Sequence, residues 1–175
     1  ALRSVTYYST SNNPTITSSN RTMSWEVTDA DSDGAGAVTS TSVTSTINIS
    51  PINDAPTAVT LISPEEGANV HIDILNMDTT SLVFEWSPSI DIEEDALVYM
   101  FNAEWDTANQ LNHPVTTVLK LNLSQTKLLV DYIDLVDYLD LTNRMWFSQP
   151  VLKWTVDVND GTDTTFTNDT QKVNI

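Results

Sequence analysis

The chain has 175 residues, 40% of them hydrophobic, and its 24 acidic residues far outnumber the seven basic ones. The formal net charge of −17 argues against nucleic acid or an anionic membrane surface as a partner, because both bind through basic patches. The absence of cysteine excludes disulfides, and no apolar run approaches the roughly 20 residues that span a bilayer as a helix.

The first fifty residues are rich in serine and threonine, with β-branched residues between them. Alternation with a period of two is typical of strands, and it occurs in three stretches of this part. The predicted strands are 2–7, 22–27 and 39–49. Because three strands cannot bury both faces of a sheet, we expect this part to be incomplete by itself. Either the sequence begins within a domain, or another copy, another chain or the second domain supplies the missing strands.

Two prolines, Pro51 and Pro56, bound a short stretch after the third predicted strand. Proline lacks a backbone N–H, so both cannot lie inside one strand ladder, and we interpret the stretch as a stiff joint between two domains. Asn53 and Asp54 lie inside it and would bring side-chain oxygens to the place where two domain ends meet. The predicted domains are 1–55 and 56–175.

Residues 57–175 show about seven short alternating stretches separated by turn signals, which favours an antiparallel β-sandwich. The alternation is clearest at 82–86, 97–103 and 152–158, where every second residue is apolar. Between 131 and 141 the apolar residues are spaced as in a helix, so a short helix is predicted at 133–139. The predicted fold class is therefore all-β.

Three motifs in this order make residues 57–175 resemble a bacterial fibronectin type III-like domain, which is an immunoglobulin-like sandwich. They are FEWSPS at 84–89, DIEEDALVY at 91–99 and LKWTVDVNDG at 152–161. The motifs LRSVTY at 2–7, NRT at 20–22 and VTD at 27–29 make residues 1–55 resemble the C-terminal half of a cadherin-like repeat. Together these resemblances imply a piece of a large tandem-repeat surface protein or adhesin of bacteria, located outside the cell.

Calcium is the cofactor that the acidic loops predict, because it takes six to eight oxygen ligands from carboxylates, amides and backbone carbonyls. Aspartate and asparagine are also common in solvated turns, where they bond their own backbone, and this alternative stays open. The candidate ligands form three sets: Asp29, Asp31 and Asp33; Asn53 and Asp54; and Asp91, Glu93 and Asp95.

Tryptophan offers a possible carbohydrate surface, but Trp25, Trp86 and Trp154 lie on alternating apolar faces and are expected in cores. Trp105 and Trp146 are the remaining candidates for contact with a ligand or partner. The sequence contains no zinc-binding His-Glu-x-x-His, no Gly-x-Ser-x-Gly and no cysteine nucleophile, so we expect no enzyme.

The function that these patterns predict is a non-enzymatic structural or adhesive module on the bacterial surface. Its expected partners are other domains or copies of the same protein, with a glycan or a cell-surface receptor as a further possibility. One alternative is a subunit of a filament or surface layer built by strand exchange between copies, because the first fifty residues need strands from elsewhere. The other is a carbohydrate-binding module.

Overall fold

The computed structural model describes residues 5–72, 74–77, 79–106, 117–138 and 151–175. The chain separates into two compact units, Ala1–Asn53 and Asp54–Ile175. The division falls two residues before the boundary predicted from the prolines. Every member of the hydrophobic core lies at position 59 or beyond, so this core belongs to the second unit alone.

The first unit contains one antiparallel ribbon of two strands, β1 (Asn20–Trp25) and β2 (Val43–Asn48). An isolated bridge between Thr28 and Thr39 extends the pairing towards the acidic loop. The ribbon confirms strands within the second and third predicted stretches, whereas the described part of the first, residues 5–7, is not a strand. No residue between 5 and 53 is fully buried.

In its described residues, the second unit is built from two sheets. The smaller sheet has the order β3-β5-β8, and the larger one has the order β4-β11-β9-β6-β7 with β10 paired to β9. All pairings are antiparallel except the parallel pair of β11 with β4. The strands are β3 (Leu61–Ser63), β4 (Ala68–Asn69), β5 (Ser81–Trp86), β6 (Val98–Trp105), β7 (Thr117–Leu123), β8 (Lys127–Asp131), β9 (Val151–Asn159), β10 (Thr164–Thr165) and β11 (Gln171–Asn174).

Aromatic rings from both sheets fill the core of the second unit. Phe84 of β5 packs edge-on against Phe101 of β6 and Trp154 of β9, with ring centroids 4.9 and 5.3 Å apart. Trp86 lies against Phe101 and Tyr99. These contacts connect the smaller sheet to the larger one, and they confirm the all-β antiparallel sandwich predicted from the alternation.

One α-helix, α1 (Tyr132–Tyr138), follows β8 directly and confirms the short helix predicted from the apolar spacing. Leu135 of this helix enters the core, and Tyr132 packs against its margin. A 3-10 turn at Ile74–Asn76 precedes β5. In the described part of the chain, no helix is long and apolar enough to cross a membrane.

Candidate metal centre

The loop between β5 and β6 carries Asp91, Glu93 and Asp95, and Asp91 organises it. One side-chain oxygen of Asp91, Oδ1, accepts hydrogen bonds from the backbone N–H groups of Glu93 and Asp95, each at 3.0 Å. This closes an Asx-type turn, in which the side chain stands in for a backbone acceptor. Glu94, at the tip, has a positive φ of 64°. The loop is therefore folded around a carboxylate that points inwards.

Two carboxylate oxygens of this loop are buried without a hydrogen-bond partner. Asp91 is only 8% exposed, and its second oxygen, Oδ2, has no partner. The same holds for Oε1 of Glu93. Leaving a charged oxygen buried and unbonded is costly, so these atoms need a positive group or a donor that the loop itself does not provide.

The other oxygen of Glu93 binds the start of the second unit. Glu93 Oε2 accepts a hydrogen bond from the backbone N–H of Asp54 at 3.2 Å. The side chain of Glu93 therefore joins the β5–β6 loop to the segment 54–57, which leads into the sandwich. The two oxygens of this carboxylate have different roles, since Oε2 holds the backbone and Oε1 remains available for another group.

Further bonds attach the segment 54–57 to the same end of the sandwich. The backbone N–H of Thr57 donates to the carbonyl of Ile90 at 2.9 Å, and the N–H of Ile90 donates to Thr57 Oγ1 at 2.8 Å. Ser89 Oγ donates to the carbonyl of Thr57 at 2.5 Å, and Thr165 Oγ1 donates to the carbonyl of Pro56 at 2.5 Å. We call this region, where the segment 54–57 meets the loop 87–97 and β10, the linker end.

The acidic residues predicted as ligands at the linker end differ in how deeply their side chains are buried. Asp91 is buried and Glu93 is half-buried, whereas the side chains of Asp54 and Asp95 are exposed. Asn53 is the last residue of the first unit, and Asp54 is the first residue of the second. Within the described ranges, no group of three or more His, Cys, Asp or Glu side chains converges as a metal site. A cation at this loop would rely on two carboxylates supplemented by backbone carbonyls, which calcium accepts as ligands.

The acidic loop of the first unit uses its carboxylates in another way. Asp29 Oδ1 accepts from the N–H groups of Asp31 and Val38, at 3.1 and 3.2 Å. Asp31 Oδ1 accepts from Gly36 N at 2.6 Å, and Asp33 Oδ1 accepts from Ala35 N at 3.0 Å. All three residues are exposed. Each carboxylate thus serves as a turn acceptor, as in the solvated-turn alternative.

The two tryptophans predicted as surface contacts have different outcomes. Trp105 is 3% exposed and belongs to the core, so the expectation that it contacts a ligand or partner is wrong. It is the last residue of β6 and continues the inward series of Tyr99, Phe101 and Ala103. Trp146 lies outside the described residues.

Sequence reasoning missed the neutral side chains that fix the linker end. Thr57, Ser89 and Thr165 make bonds there, and the Tyr99 hydroxyl accepts from the N–H of Ser89 at 3.1 Å. A hydroxyl residue gives little signal in a chain so rich in serine and threonine. The alternation in β6 predicted that Tyr99 points inwards, but its polar end could not be assigned a partner from spacing alone.

Comparison with known proteins assigns no family. No protein-family model matches the chain, and a search of curated proteins finds no match. Because one fold serves many functions, the function has to be argued from the site itself.

Proposed function

We propose that the chain is a non-enzymatic structural and adhesive module of a bacterial surface protein, and that a calcium ion stabilises its linker end. The observation that carries the proposal is the buried Asp91 carboxylate, whose Oδ2 has no partner, beside a glutamate that binds the backbone of Asp54. Such an arrangement suits a firmly held entry into the second unit, because a cation there would hold the loop and the segment 54–57 together.

The residues of the linker end fit a hard cation. Asp91 Oδ2 and Glu93 Oε1 are the oxygens that would bind it, and both are already buried. Calcium, when bound, supplies a positive charge that compensates these carboxylates and fills its remaining positions with carbonyl or water oxygens. Asp91 Oδ1 keeps its two backbone bonds and holds the loop in its turn, so the site is ordered before any ion arrives.

The fibronectin type III-like character of the second unit is part of this proposal. A three-stranded sheet facing a larger, mostly antiparallel sheet, joined by a core of aromatic residues, supports an immunoglobulin-like arrangement. The exterior location and the absence of enzymatic activity follow from the same interpretation of the molecule as a spacer or an adhesive segment.

Thermal unfolding tests the calcium site. The midpoint temperature should rise when 5 mM calcium is added to the EGTA-treated protein. Magnesium at the same concentration should have a smaller effect, because it demands a tight octahedral shell and gives up water reluctantly. Equal midpoints in calcium and in EGTA would refute the proposed site.

A second candidate function, a subunit of a filament or surface layer, rests on the first unit. No residue between 5 and 53 is fully buried, and Val27, Val38 and Val43 are each more than 60% exposed. A two-stranded ribbon is marginally stable alone in water, so strands from another copy would stabilise it. Sedimentation across a concentration series, followed by electron microscopy, tests this. A monomer whose β1 and β2 amides are strongly protected from hydrogen exchange would contradict it.

A further inference from the structure

The dipeptide Asp-Gly occurs twice in the chain, as Asp33–Gly34 and as Asp160–Gly161. Aspartate followed by glycine is open to an internal reaction, because glycine has no side chain to keep its backbone nitrogen away from the aspartate carboxyl group. A Cβ built on either glycine meets no atom of a non-neighbouring residue within 4 Å, so neither glycine is crowded. The two positions therefore differ in burial and hydrogen bonding.

Asp33 lies in the acidic loop of the first unit, and both it and Gly34 are exposed. Asp33 Oδ1 accepts a hydrogen bond from Ala35 N at 3.0 Å. This bond closes an Asx turn, which curls the carboxyl group back over the peptide bond to Gly34. The N–H of Gly34 donates a long bond of 3.3 Å to the carbonyl of Asp31. The carboxyl carbon of Asp33 and the nitrogen of Gly34 are thus close together and weakly restrained.

Asp160 is held more firmly in the turn that joins β9 to β10. It is 8% exposed, and its Oδ1 accepts from the N–H groups of Thr162 and Asp163, each at 2.7 Å. The N–H of Gly161, whose nitrogen would have to react, donates to Asn159 Oδ1 at 2.8 Å. A reaction at Asp160 therefore requires the turn to open first.

We propose that Asp33 is a site of spontaneous covalent modification, at which aspartate converts to isoaspartate without any reagent besides water. The backbone nitrogen of Gly34 bonds to Asp33 Cγ, and the N–H proton and the carboxyl hydroxyl group leave as water. The product is a cyclic succinimide, which water then opens at one of its two carbonyl carbons. Opening at Cγ restores aspartate. Opening at the main-chain carbonyl carbon of Asp33 breaks the original peptide bond and leaves Gly34 joined through Cγ.

Isoaspartate changes the shape of the acidic loop. Cγ becomes part of the main chain, so the loop grows by one carbon atom and the bond from Ala35 N to the Asp33 side chain is lost. No residue between 5 and 53 is fully buried, so little packing opposes this change. The modification would alter one of the three predicted sets of calcium ligands, but it depends neither on a cation at the linker end nor on assembly between copies.

Incubation of the full chain in EGTA at physiological temperature, with and without guanidinium chloride, tests the proposal. After proteolysis, fragmentation by electron-transfer dissociation distinguishes isoaspartate from aspartate at each position. In the folded chain, isoaspartate should form at least about tenfold faster at Asp33 than at Asp160, since a local opening that costs about 1.4 kcal/mol already slows a reaction by that factor. In guanidinium chloride the two rates should converge, because the same dipeptide is then exposed at both positions. Asp160–Gly161 is thus a matched control within the chain.

Two variants separate the chemistry from the environment. Asp33→Glu keeps the charge but must close a larger ring, so the product at this position should disappear. Asp33→Asn should accelerate isoaspartate formation, because ammonia leaves an amide more readily than water leaves a carboxyl group.

Three results would overturn the inference. The first is equal rates at Asp33 and Asp160 in the folded chain. The second is an Asp33 that stays unchanged in the folded chain, whether or not guanidinium chloride releases the reaction. The third is an amount of isoaspartate that is the same in Asp33→Glu as in the wild type, which would place the modification at another aspartate.

Discussion

Replacing Asp91 by asparagine should change stability in opposite directions with and without calcium. Without calcium, Asp91→Asn removes a buried carboxylate oxygen that has no hydrogen-bond partner, while its amide oxygen can still accept from Glu93 N and Asp95 N. An unpartnered buried charge is more costly than a neutral amide, so the variant should be as stable as the wild type or more stable. With calcium, the variant loses a charged ligand and should gain nothing from the ion.

The size of the calcium effect follows from binding linkage. Extracellular calcium modules bind with dissociation constants of about 0.1–1 mM, so 5 mM calcium stabilises the folded state by roughly 1–2 kcal/mol. For a unit of this size, that corresponds to a rise of roughly 4–12 °C in the unfolding midpoint. The unfolding midpoint of the wild type should rise by this amount on addition of calcium, and that of Asp91→Asn should rise by less than about 1 °C.

Urea denaturation of both proteins, in EGTA and in calcium, measures the four free energies of unfolding. Asp137→Asn is the matched control, because it makes the same charge change at an exposed position of α1. That helix follows β8, whose last residue pairs with the first residue of β5. Because the 87–97 loop follows the last residue of β5, the helix and the loop lie at opposite ends of the smaller sheet. If Asp91→Asn and Asp137→Asn respond to calcium alike, the reasoning is refuted.

Three further predictions concern the second unit. In a urea titration, Phe101→Ala should lower the free energy of unfolding by about 3–5 kcal/mol, because removing a ring that contacts both sheets leaves a cavity. The control Phe166→Ala, at an exposed position, should change it by less than about 0.5 kcal/mol. Asp106 raises the pKa of Lys172 above its ordinary 10.5 through a hydrogen bond and its charge. The difference in free energy of unfolding between the wild type and Asp106→Asn should therefore be largest at pH 8. It should shrink as the pH rises above 10.5. Gly161→Ala should destabilise by about 1–2 kcal/mol in thermal unfolding, because the φ of +100° at this turn disfavours any side chain; an unchanged midpoint would contradict this.

The strands of the second unit could be predicted because their alternation is strong. Phe84, Phe101 and Trp154 each lie in a run in which every second residue is apolar, and burial on one face of a strand requires that period. Applied to Trp105, the same rule would have put it on the inner face of β6, since it lies two residues after Ala103. Its assignment to the surface was an error of interpretation, and the signal that corrects it was present in the sequence.

The contacts of the linker end and of Asp106 could not be predicted, because they join residues distant in sequence. Glu93 reaches Asp54 across 39 positions, and Thr165 reaches Pro56 across 109. Local patterns identified the acidic residues as ligand candidates, but burial distinguishes them: Asp91 is enclosed, whereas Asp29 is exposed and serves its own turn. No sequence pattern identified Asp106, because its role depends on ion pairs with two lysines of distant strands.

A crystal structure of the chain grown in calcium chloride is the most direct measurement of the proposed linker-end site. The account predicts an anomalous scattering peak bound by Asp91 Oδ2 and Glu93 Oε1, at the distances of about 2.3–2.6 Å that calcium takes to oxygen. A water molecule or empty density beside these two oxygens, in crystals that hold calcium at millimolar concentration, would contradict it.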